Sequence, residues 1–356
     1  MINIKSTYKR KNIFINLIIL IISTIISLVI SEFFARRFLN INYRLNIKET
    51  WLENEVERGY KITDLELGFK PGPLWAEFGK FGFQNGSEYK GEKENIIDVA
   101  ILGDSLMQDE FLERAFKCLF KDRPYRFWNA GIGGYNTIQE AFYLERYIKL
   151  TPKILILGFC LNDFTPSMTI ISDKIAIKKR FEQNLYEPLG VANPFLFRHS
   201  ALYRYLKLKS INLIRKDDVC SVKSVLDNRY MVELGFKKML NYCIKNKASF
   251  FVIIYPHLQD YSGQLDNWLE VAHISILKLL DELGIQYIDL HNKYKSIGFK
   301  KLANDREDQV HPNYEGHFVA AKELIDKFYL QLGLRRIDKE KIANVSFAEC
   351  GEYFGN

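Results

Sequence analysis

The residues best equipped for chemistry lie in four short turns. Gly103-Asp104-Ser105 follows the apolar run "VAIL", "AGIGGYNT" follows "RFWN", and "GFCLNDF" closes "ILIL". The fourth turn, "DREDQVHPNYEGH", comes late in the chain, after "QYIDL". Between them they hold a hydroxyl (Ser105), glycine amides (Gly134 among them), a carboxamide (Asn162), a carboxylate (Asp308) and an imidazole (His311). That is the inventory for acyl transfer through a serine nucleophile. Each turn by itself is ordinary. Serine is a favoured helix N-cap, so Ser105 alone reads as the cap of the helix that follows it. Asp104 and Asp163 read as turn residues, because Asp readily bonds its own backbone.

The elements that must position these turns have a regular pattern. "IIDVAIL", "YRFWNAG", "KILILGF", "SFFVIIYP" and "QYIDL" are short apolar runs of the kind that form strands buried on both faces. Between and after them stand amphipathic stretches of helical period: "DEFLERAFKCLFKD", "TIQEAFYLERYIKL", "VLDNRYMVELGFKKMLNYCIKNK", "LDNWLEVAHISILKLLDELG" and "NYEGHFVAAKELIDKFYLQL". Strands alternating with helices predict an α/β fold, a three-layer α/β/α sandwich around a mostly parallel five-stranded sheet of the flavodoxin-like kind. In such sheets ligands gather beyond the carboxyl ends of the strands, and all four turns fall there.

The four blocks, taken in order, resemble those of the SGNH hydrolases, the "GDSL" esterase and lipase superfamily. "GDSL" is similar to its first block, Gly134 in "GIGGYN" to the second, Asn162 in "LNDF" to the third and "DQVHP" to the last; the likeness spans roughly residues 97 to 330. The stretch before the first strand, "LGFKPG…FGFQNG", looks like the lead-in of membrane-anchored bacterial members found near surface-glycan genes. The resemblance implies Ser105 as nucleophile, His311 as the base that takes and returns its proton, and Asp308 as the group that orients the imidazole. It implies an oxyanion hole made by the backbone amides of Ser105 and Gly134 and the side-chain amide of Asn162. Pro312 would set the chain at the start of the last helix. No cofactor and no metal is implied.

Other readings of the same residues are weaker. "GIGGYN" has Asn136 where a dinucleotide loop has its last glycine. Asp308, His311 and His317 could ligate a metal, but His317 lies six residues beyond His311, off one helical face; it reads as packing or capping near the helix start. His257, after the fourth strand, reads as a loop histidine that could line the substrate site. Cys160 reads as a core thiol. The five cysteines are widely spaced with no CxxC pair, allowing at most two disulfides and fitting buried thiols equally well.

The ends and the interruptions carry the rest. Lys5, Lys9, Arg10 and Lys11 precede eighteen uncharged residues, Ile13 to Ile30. As a helix these span about 27 Å, close to a bilayer's hydrocarbon core. No small-x-small site follows, so the stretch reads as an uncleaved anchor over residues 13–31 rather than a signal peptide. Basic residues flank both sides, and the early four together with the large following domain favour an inside N-terminus. The expected division is a basic segment at 1–12, the anchor at 13–31, an irregular juxtamembrane lead-in at 32–95 whose end, 78–95, reads as irregular structure or a short hairpin, the hydrolase domain at 96–332 and a tail at 333–356.

Residues 164–225 break the α/β alternation and read as an inserted cap. From 164 to 216 the cap has ten Lys or Arg against three Asp or Glu, a solvated surface or a basic rim attractive to acidic glycans or lipid headgroups. The net charge of +7 is mild and spread, poor ground for a nucleic-acid partner. Through the resemblance, the expected substrate is an acylated glycan or lipid-linked saccharide of a bacterial cell envelope, attacked at O-acetyl esters outside the cytoplasmic membrane. Acyl transfer to a sugar hydroxyl is the alternative, and a non-catalytic glycan-binding module a further one.

Overall fold

The computed structural model describes residues 3–38, 61–64, 67–72, 82–84, 93, 95–164, 196, 200–203, 205–206, 221–264, 266–305 and 307–354. Most of the cap, and the stretch "WLENEVERGYK" that reads as helical, lie outside the described residues. The first element is one long helix, α1 (Asn3–Phe38), which includes the apolar run and the basic residues at both its ends. Its span Phe14–Arg37 is long and apolar enough to cross a membrane, and its apolar side chains are exposed.

Two short strands, β1 (Lys61–Asp64) and β2 (Gly68–Pro71), pair as an antiparallel hairpin. The stretch at 78–95, expected as irregular structure or a short hairpin, lies mostly outside the described residues. The Phe69-Lys70-Pro71 segment is itself strand, because its pairing with Ile62 and Lys61 satisfies backbone groups that a turn leaves to water.

The main sheet has five parallel strands: β3 (Ile97–Gly103), β4 (Tyr125–Gly131), β5 (Ile154–Cys160), β6 (Ser249–Tyr255) and β7 (Gln286–Asp289). Their order is β4-β3-β5-β6-β7, the flavodoxin-like arrangement expected from the sequence. Period-two alternation sends Ala100, Leu102, Leu155 and Leu157 to one face and Val99, Ile101, Ile154 and Ile156 to the other. The first face is covered by α4 (Thr137–Arg146), α5 (Val222–Asn246) and α6 (Trp268–Leu283). The second is covered by α2 (Ser105–Gln108), α3 (Phe111–Leu119), α7 (His291–Ile297), α8 (Phe299–Leu302) and α9 (Tyr314–Phe328). Both faces are therefore buried, which is why the strands read as unbroken apolar runs.

Several helices are shorter than their amphipathic patterns. The chain from Asp109 to Asp122 is helical only over α3, because Glu110 takes a left-handed conformation (φ 62°) that separates α2 from α3. The residues after Leu332 are not a loose tail. They form α10 (Arg336–Ala343) and α11 (Gly351–Phe354), and they bury Ile342, Cys350 and Phe354 against the second face. Cys350 is disulfide-bonded to Cys118 of α3 across 232 residues of sequence. Cys160 and Cys243 are buried free thiols.

Three described cap residues, Ser200, Ala201 and Leu202, meet the far end of α1. The Glu32 carboxylate accepts the N–H groups of Ala201 (2.9 Å) and Leu202 (3.0 Å) and the Ser200 hydroxyl (2.8 Å).

Candidate active site

Ser105 is the first residue of α2, directly beyond the carboxyl end of β3. Asp104 is the N-cap, its carboxylate accepting the Leu106 N–H at 2.9 Å. The capping reading of this turn therefore belongs to Asp104, and Ser105 is left with its side chain free for other work.

How α2 sits on the sheet depends on three glycines. Gly103, Gly131 and Gly158 stand side by side in register on β3, β4 and β5. Met107 packs down onto all three: a Cβ at Gly131 would lie 2.5 Å from the Met107 carbonyl carbon, at Gly103 2.3 Å from its Cγ, and at Gly158 2.6 Å from its Cε. At Gly131 the atom met is backbone, which excludes a side chain, while at Gly103 and Gly158 the Met107 side chain fills the space, so the glycine row is the floor that lets the nucleophile turn lie flat on the strand ends. Polar contacts lash the same turn to β4. Asn129 Nδ2 donates to the Met107 carbonyl (2.8 Å), while its Oδ1 accepts the Gly131 N–H (2.8 Å). Gln84 Nε2 donates to the carbonyls of Gln108 and Gly131, both at 3.0 Å, and the Gln84 N–H meets the Asn129 carbonyl at 2.7 Å. Gln84 thus covers the edge strand of the sheet and braces the turn. The reading of the sequence missed these residues. The glycines at matching ends of three strand runs were the legible signal.

Asp308 and His311 lie on the loop before α9. The loop is closed on itself by the Ala303–Pro312 bridge and by the Asn304 N–H donating to the His311 carbonyl at 2.9 Å. It is held to the end of β6 by the Leu258 N–H, which donates to the Gln309 carbonyl at 2.7 Å. Asn313, directly after Pro312, caps α9, its Oδ1 accepting the Gly316 N–H. Within the loop Asp308 Oδ1 accepts the N–H groups of Val310 (2.8 Å) and His311 (2.9 Å). Its Oδ2 lies 2.9 Å from His311 Nδ1, and His311 Nε2 lies 2.9 Å from Ser105 Oγ. Burial pushes the Asp308 carboxyl up, but the hydrogen bonds from His311 and Val310 and the His311 ring outweigh it and hold the group below its ordinary value. An ionised Asp308 fixes the proton of His311 on Nδ1 and leaves Nε2 as the acceptor of the Ser105 hydroxyl.

Gly134 is the exposed residue of an otherwise buried turn between β4 and α4 and adopts φ +85°, a left-handed conformation that favours glycine. Asn162 is in a single 3₁₀ turn, Leu161–Phe164, immediately after β5. The structure thus places Ser105, Gly134 and Asn162 in turns at the carboxyl ends of three adjacent strands, and joins Ser105 to His311 and Asp308.

Other histidines take different places. His317 is buried, with Nδ1 3.1 Å from the Tyr255 hydroxyl; burial and the His311 charge push it down to about 3. Among the described residues no group of three or more His, Cys, Asp or Glu side chains is gathered as metal ligands. His257 packs edge-on against Trp268 with its Nε2 lacking a protein partner; burial first, and then the charge of His311, lower it to about 4. It is therefore a neutral imidazole close to the His311–Asp308 pair.

No family model matches the chain, and no curated protein matches it. Among solved structures it is similar to an alpha/beta hydrolase enzyme from the metagenome of Lake Arreo, Spain, with 12% identity over 64% of this chain and 93% of that chain (TM-score 0.41). It is also similar to an acetyl xylan esterase, with 15% identity over 65% of this chain and 99% of that one (TM-score 0.39). A third is a catalytic mutant of an acetylxylan esterase from Geobacillus stearothermophilus, 10% identical over 69% of this chain and 98% of that one (TM-score 0.41).

Proposed function

We propose that the protein is a serine esterase that removes acyl groups, O-acetyl foremost, from a cell-envelope glycan. The observation that carries this is the continuous chain of hydrogen-bonding contacts from Ser105 Oγ through His311 to Asp308. In the first half-reaction Ser105 Oγ attacks the ester carbonyl while its proton passes to His311 Nε2. The negative oxygen of the tetrahedral intermediate is held by the N–H groups of Ser105 and Gly134 and by the Asn162 amide. Collapse breaks the bond to the leaving alkoxide, which takes the proton from His311 and departs as an alcohol, leaving acyl-Ser105. Water then gives a proton to His311 and its oxygen attacks the acyl carbon. The acid departs, and Ser105 regains its proton. Loss of one oxyanion donor such as Asn162 would cost about 2.7–4 kcal/mol of transition-state stabilisation.

The α1 helix serves in this reading as a membrane anchor. The Cys118–Cys350 disulfide supports an oxidising compartment for the catalytic domain, outside the cytoplasmic membrane. The glycan substrate rests on the resemblance of the sequence blocks and lead-in to membrane-anchored bacterial members of that superfamily.

The test uses the full chain in detergent with a chromogenic acetyl ester and a serine-reactive phosphonate. Hydrolysis that vanishes in Ser105→Ala, with the phosphonate attached to Ser105, is the expected result. Equal rates in wild type and Ser105→Ala, or a label elsewhere, would overturn the assignment. Supplying a glycan acceptor as well separates the fates of the acyl group: transfer product without matching hydrolysis would make the protein an acyltransferase built on the same three residues.

A further inference from the structure

One face of α1 is covered near its far end. From Phe14 to Arg37 every side chain is exposed except two: Ala35 is buried and Glu32 is half-buried. They stand three residues apart, on the same face of the helix. The Glu32 carboxylate accepts the N–H groups of Ala201 and Leu202 and the Ser200 hydroxyl, and it pairs with Arg36 at 2.7 Å. Hydrogen bonds to an ionised acceptor are stronger than those between neutral groups, so four such partners fix the cap firmly to this point of α1.

That point has a definite depth. The uncharged run ends at Ile30, and Glu32 is two residues further, about 3 Å along the helix axis. With α1 across a bilayer, Glu32 stands where hydrocarbon gives way to headgroups, since a carboxylate within hydrocarbon is costly. Residues 200–202 are bonded to it and share its level.

The described cap residues on either side carry the chemistry of that level. Leu206 is 56% exposed. Leu196, whose carbonyl accepts the Ser200 N–H at 2.8 Å, is 42% exposed. Tyr203 and Tyr205 precede Leu206 and are half-buried. Tyrosine gathers at membrane interfaces, where its ring meets apolar matter and its hydroxyl meets water. Exposed leucines are ordinary in a water-facing segment. At the hydrocarbon edge they have acyl chains within reach.

Resting on the anchor reading of α1, we propose that Leu196, Tyr203, Tyr205 and Leu206 form a second membrane contact, seated in the interface of the phospholipid bilayer that α1 crosses. Glu32 sets its depth. The cap leaves the sheet directly after the Asn162 turn, so this contact ties the bilayer to a segment rooted beside the proposed oxyanion donor.

Fluorescence quenching by nitroxide-labelled lipid, on the full chain in phosphatidylcholine nanodiscs, tests this. In a Cys220→Ser background one labelled cysteine is read at a time: Ile22→Cys in the span, Leu206→Cys in the cap, and Leu330→Cys, at a 65% exposed position after α9, as reference. Cys160 and Cys243 are buried and Cys118 and Cys350 are bonded to each other, so none of them takes the label. A nitroxide near the headgroup is expected to quench the label at 206 at least threefold more than at 330. Leu196→Cys should behave like Leu206→Cys and gives the same reading if the latter does not fold. Adding Glu32→Ala should bring the signal at 206 down to that at 330; an undiminished signal would overturn the part given to Glu32. Equal quenching at 206, 196 and 330, with Ile22→Cys quenched by a nitroxide deep in the acyl chain, would overturn the second contact alone. An unquenched Ile22→Cys would remove the anchor reading and this contact with it.

Discussion

Met107 rests on Gly131 with no room for even one methyl group between them, a Cβ at Gly131 falling 2.5 Å from the Met107 carbonyl carbon. The contact is with backbone, so neither residue can turn aside. Gly158 faces the flexible end of the same side chain, its Cβ 2.6 Å from Cε. Gly131→Ala is therefore expected to destabilise the protein by about 1–3 kcal/mol, the usual cost of overpacking, and to shift Ser105 enough to lower kcat. Gly158→Ala should cost less on both counts. Thermal melts with kinetics on the same samples would check the order; Gly158→Ala proving the more damaging would contradict the floor described here.

Gln84 braces that turn through two carbonyls and a backbone pairing. Removing its amide leaves the Gly131 and Gln108 carbonyls short of a donor. Gln84→Ala is expected to lose about 1–3 kcal/mol of stability and to lower kcat more than KM, since substrate need not touch Gln84. Chemical denaturation and steady-state kinetics measure both.

The orienting role of Asp308 makes a separate prediction. Asp308→Asn keeps the shape of the loop but no longer holds the His311 proton on Nδ1. By analogy with the serine-protease triad, where the corresponding change leaves geometry intact, kcat should fall by roughly 10⁴-fold. Melting temperature should change little. A variant that keeps a tenth of wild-type kcat would show that His311 is oriented by something else.

Glu140 links stability to pH. Burial and the neighbouring carboxylates raise it well above its ordinary value of 4.5 in the folded chain. As pH rises through 4.5 the unfolded chain releases this proton while the folded chain keeps it, so the folded state loses stability with rising pH. The loss is at most about 1.4 kcal/mol per pH unit for one such group. Glu140→Gln replaces the neutral acid with a neutral amide and removes that slope. Melts at several values between pH 5 and 8 should show the variant gaining on wild type as pH rises; parallel curves would mean that Glu140 is ionised.

The Cys118–Cys350 bond closes a separation of 232 residues and fastens the C-terminal helices to α3. The Phe354 ring, four residues on, packs 5.0 Å from Tyr314 at the start of α9. Replacing both cysteines with serine is expected to cost about 2–4 kcal/mol. Reductant should lower the melting temperature of wild type toward that of the double variant and leave the variant itself unmoved.

Much of this protein is determined along the chain itself. Five apolar runs alternating with helical patterns specify a parallel sheet covered on both faces, since no other arrangement buries strands such as "VAIL" and "ILIL" on two sides. The same pattern puts Ser105, Gly134 and Asn162 at one sheet edge, because each sits in the turn that follows a strand, whereas Asp308 and His311 lie beyond α7 and α8 and are brought back by the fold. The apolar span of α1 is equally local, a matter of composition and length.

What tertiary structure decided is everything that depends on distance between turns. The 2.9 Å contact between Ser105 and His311 joins residues 206 positions apart, and no local pattern specifies it. The glycine row matters only once three strands are in register beneath Met107. Residues 333–356 read as a tail; those described, 333–354, pack because a partner cysteine and the second face of the sheet stand within reach. The buried acids are the clearest case. Asp104, Glu140 and Asp163 each look like an ordinary polar residue of a turn or a helix start, and only their burial raises all three above the ordinary carboxyl range.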